Sequence, residues 1–173
     1  MTSLERTVYP ILKTSLTPKE LAERYTPTSS EVEFAQSQAR STRGQLSVLV
    51  MLKAFQRLGY FPAVAAIPSP LIQHLRTCLS LRDSVSTLSS LRSLRHYQSA
   101  IRCYLDVKPY DQNAQVDLAA QVADAALTKD HPADLINVAV EWLIKDRYEL
   151  PAFSTLDHLV SHLRSTTNTH LFQ

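Results

Sequence analysis

The sequence predicts an all-α fold, a compact bundle of about eight helices that includes helix-turn-helix-like units. Nearly every long apolar pattern repeats with the period of a helix. The 173 residues include only two glycines, Gly44 and Gly59, whereas sheet turns and nucleotide-binding loops depend on glycine. Apolar residues make up 45% and charged residues 20% of the chain. This composition can bury a core and argues against disorder.

Capping and breaking signals place the expected helices along the chain. Thr17 and Thr28 each lie three residues before a glutamate, in capping boxes that open two short helices. A third helix, over residues 43–59, is expected to end at Gly59 because Pro62 prevents its continuation. The remaining helices are expected at residues 70–79, 84–105, 111–127, 131–148 and 154–164, followed by a frayed tail. Residues 84–105 are expected to form either one long helix or two joined ones.

Short turns of three or four residues are expected to join several of these helices. Residues 17–40, 70–104 and 132–164 each resemble a helix-turn-helix unit, in which the second helix enters the major groove of DNA. Short turns occur in any helical bundle, so by themselves they are weak evidence for DNA binding.

The formal net charge of +2 conceals an uneven distribution along the chain. Residues 34–105 contain nine basic residues and one acidic residue, whereas residues 106–150 contain four basic and nine acidic residues. We therefore divide the chain into a basic DNA-binding part, residues 1–105, and an acidic part, residues 106–173, which could hold a second helix-turn-helix unit. The alternative is that the two parts are complementary surfaces that neutralise each other.

The helix expected around residues 87–105 has two different faces. On a helical wheel its apolar face consists of Leu88, Leu91, Leu94, Ile101 and Leu105. Another face carries Arg92, Arg95 and Arg102, with His96 at its edge, and residues 87–105 contain no acidic residue. Arginine grips phosphates and reads guanine edges, so this face is expected to enter or border a major groove.

Two further groups of side chains are candidate DNA contacts. Backbone phosphates are expected to be held by Arg40, Arg43, Lys53 and Arg57. The first two lie at a helix junction, and the last two are four residues apart and share a helix face. The final helix offers Ser154, Thr155 and His158, whose side chains can bond phosphates or base edges.

No pattern typical of a catalytic or metal centre is present in the sequence. His158 and His162 have the spacing of two metal ligands, but the HExxH pattern fails and no cysteine pair adds ligands. The sequence contains no GxSxG elbow, no phosphate-binding glycine loop and no Cys/His pair whose spacing favours a nucleophile. We expect no enzyme activity, no cofactor and no metal.

The two cysteines, Cys78 and Cys103, are expected to be small buried hydrophobes in a reducing compartment. The N-terminus lacks the apolar core of a signal peptide, and no apolar run approaches the length of a membrane span. A cytoplasmic protein with no membrane partner is therefore expected.

Three long stretches of the chain are LKAFQRLGYFPAVAAIPSPLIQHL, RHYQSAIRCYLDVKPY and, at residues 136–160, INVAVEWLIKDRYELPAFSTLDHLV. They resemble the N-terminal region of replicative transposases of the Tn-three family, and the third stretch does so most closely. The resemblance covers about residues 15–165. It implies binding to the terminal inverted repeats of a transposon, and a catalytic Asp-Asp-Glu domain that would lie outside these 173 residues.

The sequence therefore predicts a sequence-specific module that binds double-stranded DNA at transposon ends. Its other expected partners are the remainder of the transposase and a second copy of the chain. The alternative is a dimerisation or intramolecular docking module built on the acidic segment 106–150 and its alanine-rich helix, with Trp142 and Leu143 as partly exposed anchors.

Overall fold

The computed structural model describes residues 2–87 and 91–171, and it confirms the all-α class. Within these ranges the chain forms eight α-helices and no β-strand. The helices are α1 (Pro18–Arg24), α2 (Ser29–Gln38), α3 (Thr42–Leu58), α4 (Ser69–Cys78), α5 (Leu91–Leu105), α6 (Gln112–Ala125), α7 (Pro132–Lys145) and α8 (Phe153–Leu171). Both capping boxes are present, at Thr17 and Thr28. Gly59 ends α3 with a φ of 77°, as its position predicted.

The chain divides into two compact units. We call Ile11–Leu105 the basic unit, because its twelve basic and five acidic residues give a net charge of +7. The acidic unit combines Met1–Pro10 with Asp106–Gln173, and its six basic and eleven acidic residues give −5. Placing residues 1–10 with the basic part was therefore wrong.

The basic unit is built around α3, whose wide apolar face is almost entirely buried. Leu46, Leu49 and Leu52 are inaccessible to solvent, and burial of each leucine contributes roughly 1.5–3 kcal/mol. Helices α2, α4 and α5 all pack against α3. This arrangement holds α5 by its apolar face and leaves the opposite face exposed to solvent.

The acidic unit is a three-helix cluster in which α6, α7 and α8 contact one another. The N-terminal segment lies along it, which explains why residues 1–10 belong here. The Thr2 amide donates to Asp157 of α8 at 3.3 Å, and the Val8 amide donates to Asn137 of α7 at 2.8 Å. The Tyr9 hydroxyl donates to the carbonyl of Pro151 at 2.8 Å.

The segment before α5 departs from the predicted helix of residues 84–105, because residues 79–87 are not helical. Two arginine side chains bind carbonyl groups there that a helix would have used itself. Arg76 Nε donates to the carbonyl of Val85 at 2.6 Å, and Arg43 donates to that of Thr87 at 3.1 and 3.2 Å. Leu88 lies outside the described residues.

The chain end also departs from the prediction. Helix α8 begins at Phe153 and continues to Leu171, so the expected stop near residue 164 is wrong, and the expected fraying is wrong for the tail as far as residue 171. The hydroxyls of Thr166, Thr167 and Thr169 donate to carbonyls four residues earlier, at 2.9–3.0 Å. The hydrogen-bonding groups of these side chains are therefore satisfied within the helix, in a segment that had been expected to fray.

The expected short turns are present in one of three places. Residues 25–28 join α1 to α2, as a helix-turn-helix unit over residues 17–40 requires. The connections within residues 70–104 and 132–164 are longer, the latter running from Asp146 to Ala152. In residues 2–87 and 91–171, no helix has both the length and the apolar character needed to cross a bilayer.

Candidate nucleic-acid interface

Helix α5 separates an apolar face from a basic one, as its sequence predicted. Leu94, Tyr97 and Ile101 are buried, the last completely. Arg92, Arg95 and His96 are exposed on the other face, together with Ser99 and Cys103. We call this exposed set the α5 basic face.

The arginines of the α5 basic face are not neutralised by carboxylates. Arg92 and Arg95 form no ion pair with any residue in the ranges 2–87 and 91–171. An unpaired guanidinium in solvent keeps all five N–H donors for an incoming anion. Both side chains are therefore available to a phosphate or a base edge.

Gly44 brings the start of α3 against the buried side of α5. A Cβ at this position would lie 2.7 Å from Ala39 Cβ and 2.8 Å from the Tyr97 hydroxyl. Only glycine allows an approach this close. The junction between α2 and α3, which carries Arg40 and Arg43, is thereby held next to α5.

Arg40 and Arg43 are both exposed at this junction, where the sequence placed them. The guanidinium of Arg43 already donates two hydrogen bonds to the carbonyl of Thr87, which leaves the rest of its five donors for another acceptor. Arg43 therefore fixes the segment before α5 and still faces solvent.

Lys53 does not lie on the surface, so its expected role in holding a phosphate is wrong. Its side chain is 7% exposed, and its Nζ lies 2.9 Å from Glu31, whose side chain is equally buried. The Glu31 carboxylate also accepts from the Thr28 amide and from Gln56, each at 3.0 Å. The sequence pattern missed this pair because its members are 22 residues apart.

The pKa of Glu31 reflects two opposing effects. Burial acts to raise it, but the hydrogen bonds from the Thr28 amide and the Lys53 ammonium outweigh burial and hold the pKa below the ordinary 4.5. Glu31 is therefore ionised near neutral pH and anchors Lys53 in the core. Arg57, one turn further along α3, is exposed as expected.

Arg102 differs from the other arginines of α5. It is half-buried, and its guanidinium carbon lies 5.8 Å from the centroid of the Phe61 ring. A cation over an aromatic face is held by the ring's quadrupole. Arg102 therefore packs against the basic unit itself, rather than projecting with Arg92 and Arg95.

The three candidate contacts of the last helix lie on α8 of the acidic unit. Ser154, Thr155 and His158 are exposed. Asp157, beside them in sequence, is buried and accepts from the Thr2 amide. Within residues 2–87 and 91–171, no group of three histidines, cysteines or carboxylates could hold a metal ion.

A cysteine–histidine contact is present that sequence reasoning missed. Cys78 Sγ lies 3.6 Å from His74 Nε2, one turn away on α4, and Thr26 Oγ1 lies 3.0 Å from the same nitrogen. Partial desolvation of the sulfur raises the pKa of the Cys78 thiol, although the residue as a whole is exposed, and partial desolvation lowers the pKa of His74. A neutral thiol therefore meets a neutral imidazole. This is not an activated nucleophile, which requires the thiolate.

Two other expectations for individual side chains are corrected. Cys78 and Cys103 are both exposed, not buried. Leu143, expected to be a partly exposed anchor, is completely buried in α7. Trp142 is half-buried and stacks on Tyr148, with ring centroids 5.7 Å apart.

Comparison with known protein families identifies a match over most of the chain. The family model described as a domain of unknown function (DUF4158) matches residues 1–163. Domains of this family are found in transposase-related proteins. No curated protein matches the chain.

Proposed function

The chain belongs to the DUF4158 family, and we propose that it is a sequence-specific DNA-binding module of a transposase. In this proposal it recognises the terminal inverted repeats of the transposon and has no catalytic activity of its own. The occurrence of the family in transposase-related proteins supports the broad assignment. The resemblance to Tn-three-family transposases supports the finer one, including a separate part of the transposase that carries out the chemistry.

One observation carries the proposal. The α5 basic face presents Arg92 and Arg95 to solvent with no carboxylate partner in the described ranges, on a helix that contains no acidic residue. A helix of this kind fits a major groove, where arginine bonds guanine O6 and N7 as well as phosphates.

Arg40, Arg43 and Arg57 are further exposed arginines of the basic unit, and in this proposal they hold backbone phosphates. Their role is positional, because phosphate contacts fix the orientation of a protein on the duplex and carry no base information. The net charge of +7 on the basic unit favours rapid, salt-dependent association with a polyanion.

The experiment is a fluorescence-anisotropy titration of terminal-repeat and scrambled duplexes at two salt concentrations. A specific module binds the terminal repeat at least about 10³-fold more tightly, and both affinities weaken as salt increases. Equal affinities for the two duplexes would reduce the function to nonspecific DNA binding. If the chain binds neither duplex, the proposed DNA-binding function is refuted.

A second function, dimerisation or docking on the remainder of the transposase, is favoured by exposed apolar side chains of the acidic unit. Val116, Leu127 and Ile144 are 64%, 72% and 56% exposed, and an interface would require them to form one contiguous apolar patch, because single exposed apolar side chains are common on protein surfaces. Size-exclusion chromatography with and without a terminal-repeat duplex separates the two functions. Dimerisation without any shift on DNA addition favours docking.

A further inference from the structure

A pocket of about 380 Å³ lies in the acidic unit where the N-terminal segment, α7 and α8 meet. Its size falls within the range of small-ligand sites, roughly 300–1,000 Å³. Ser3 and Arg6 line it from the N-terminal segment, His131 and Asp134 from the start of α7, and Ser161 and Arg164 from α8. The lining is thus rich in hydrogen-bond donors.

The fold fixes the elements that carry the two arginines. Arg6 ends the 3-10 turn Leu4–Arg6, and this segment is held on both sides by the hydrogen bonds of Thr2 to Asp157 and of Val8 to Asn137. Arg164 lies on α8, one turn after Ser161. The two guanidinium groups therefore line one cavity from elements that are far apart in sequence.

The charge of this pocket is opposite to that of the unit around it. The acidic unit has a net charge of −5, yet Arg6 and Arg164 form no ion pair with any residue in the ranges 2–87 and 91–171. Asp134, in the first turn of α7, is the one carboxylate of the lining. Two guanidinium groups against one carboxylate leave an excess positive charge that no other described residue of the lining neutralises.

The N-terminus of α7 adds to the positive charge at the pocket. Its N-cap residue, His131, makes no side-chain capping bond, and residues 131–134 line the pocket, so the partial positive charge of the helix terminus lies beside it. Guanidinium forks match the oxygen geometry of a phosphate, and hydroxyls of serine complete such sites.

We propose that this pocket binds a phosphate group, and that its source is the backbone of the DNA. The assignment of the phosphate to DNA rests on the proposed function, whereas phosphate binding by the pocket does not. The acidic unit would then contribute a phosphate contact by means of Arg6 and Arg164, in spite of its net negative charge.

The first experiment tests the pocket without DNA. Inorganic phosphate is titrated into the full chain at constant ionic strength while the backbone amide resonances of residues 131–134 are followed. We expect saturable shifts there, weakened about tenfold in Arg6→Gln and in Arg164→Gln, the effect of losing one charge-assisted hydrogen bond. Lys145→Gln, at the other end of α7, is the matched control and should titrate like the wild type. Shifts that do not saturate, or that are unchanged in both arginine variants, would overturn the proposal that this pocket binds phosphate.

The second experiment identifies the source of the phosphate. The log-log salt slope of DNA binding should fall by about 0.9 in Arg164→Gln and stay unchanged in Lys145→Gln. If phosphate binds but the DNA slope of Arg164→Gln equals that of the wild type, the source is a phosphate-bearing ligand other than DNA. If the wild type does not bind DNA at all, the proposed function fails, while the phosphate titration still decides the pocket.

Discussion

The two units differ in net charge, +7 against −5, but both hold basic side chains in several kinds of surroundings. Of the basic residues described in the basic unit, Lys53 alone is buried, and Arg92 and Arg95 face solvent without carboxylate partners in the described ranges. In the acidic unit, Lys108 Nζ lies 4.0 Å from the centroid of the Tyr148 ring, and Arg147 Nε donates to the carbonyl of Asp106 at 2.9 Å.

The comparison shows that net charge alone does not locate an anion-binding surface. A lysine in the basic unit is a core residue, and two arginines in the acidic unit line one pocket and form no ion pair with any residue in the ranges 2–87 and 91–171. Burial and the nearest carboxylate decide whether a cation can meet a phosphate. The following predictions test that distinction, starting with the largest effect.

Replacing Lys53 tests whether this cation is structural. In Lys53→Ala, Glu31 stays buried without its partner, so the free energy of unfolding should fall by about 3–5 kcal/mol. Arg57→Ala, one turn away on the same helix, is the matched control and should change it by about 0.5 kcal/mol or less. Chemical denaturation measures both. Similar losses in the two variants would show that the Lys53–Glu31 pair adds little.

Adding a methyl group at Gly44 tests the close approach of α3 to α5. Alanine favours a helix over glycine, but its Cβ would meet Ala39 and Tyr97 at under 3.0 Å. We expect Gly44→Ala to lower the free energy of unfolding by about 1–2 kcal/mol. Adding Tyr97→Phe removes one contact and should recover part of the loss. A stabilised Gly44→Ala variant would contradict this packing.

The pH dependence of stability gives the smallest expected effect. The pKa of Glu31 is lowered in the folded state from 4.5, so the ionised carboxylate stabilises the fold above that value. This contribution is lost as the pH falls through the lower folded-state pKa. The free energy of unfolding should therefore fall less steeply below pH 4.5 in Glu31→Gln than in the wild type. Identical slopes would show that Glu31 has an ordinary pKa in the folded protein.

Much of the fold could be predicted from the sequence because its signals are local. The capping boxes at Thr17 and Thr28, the left-handed Gly59 and the apolar face of α5 each act within a few residues. The non-helical segment before α5 could not be predicted in this way. Its carbonyls bind the side chains of Arg43 and Arg76, which come from other helices.

The predictions for the candidate site also succeeded where the signal is local and failed where it is not. The helical wheel placed Arg92, Arg95 and His96 correctly on the exposed face of α5, because an amphipathic helix turns its polar face outward. It could not show that Lys53 meets Glu31, since that pair is formed by two helices. The pocket lined by Arg6 and Arg164 was missed for the same reason, because its residues are separated by most of the chain.

The most direct test of the α5 basic face is the salt dependence of DNA affinity in two matched double variants. Arg92→Ala with Arg95→Ala removes two exposed cations from the basic unit, and Lys129→Ala with Lys145→Ala removes two exposed cations from the acidic unit. Each lost phosphate contact lowers the log-log slope by about 0.9. The first variant should therefore lose up to about 1.8, and the second should keep the wild-type slope. A wild-type slope in the arginine variant would contradict the assignment of α5 to the DNA.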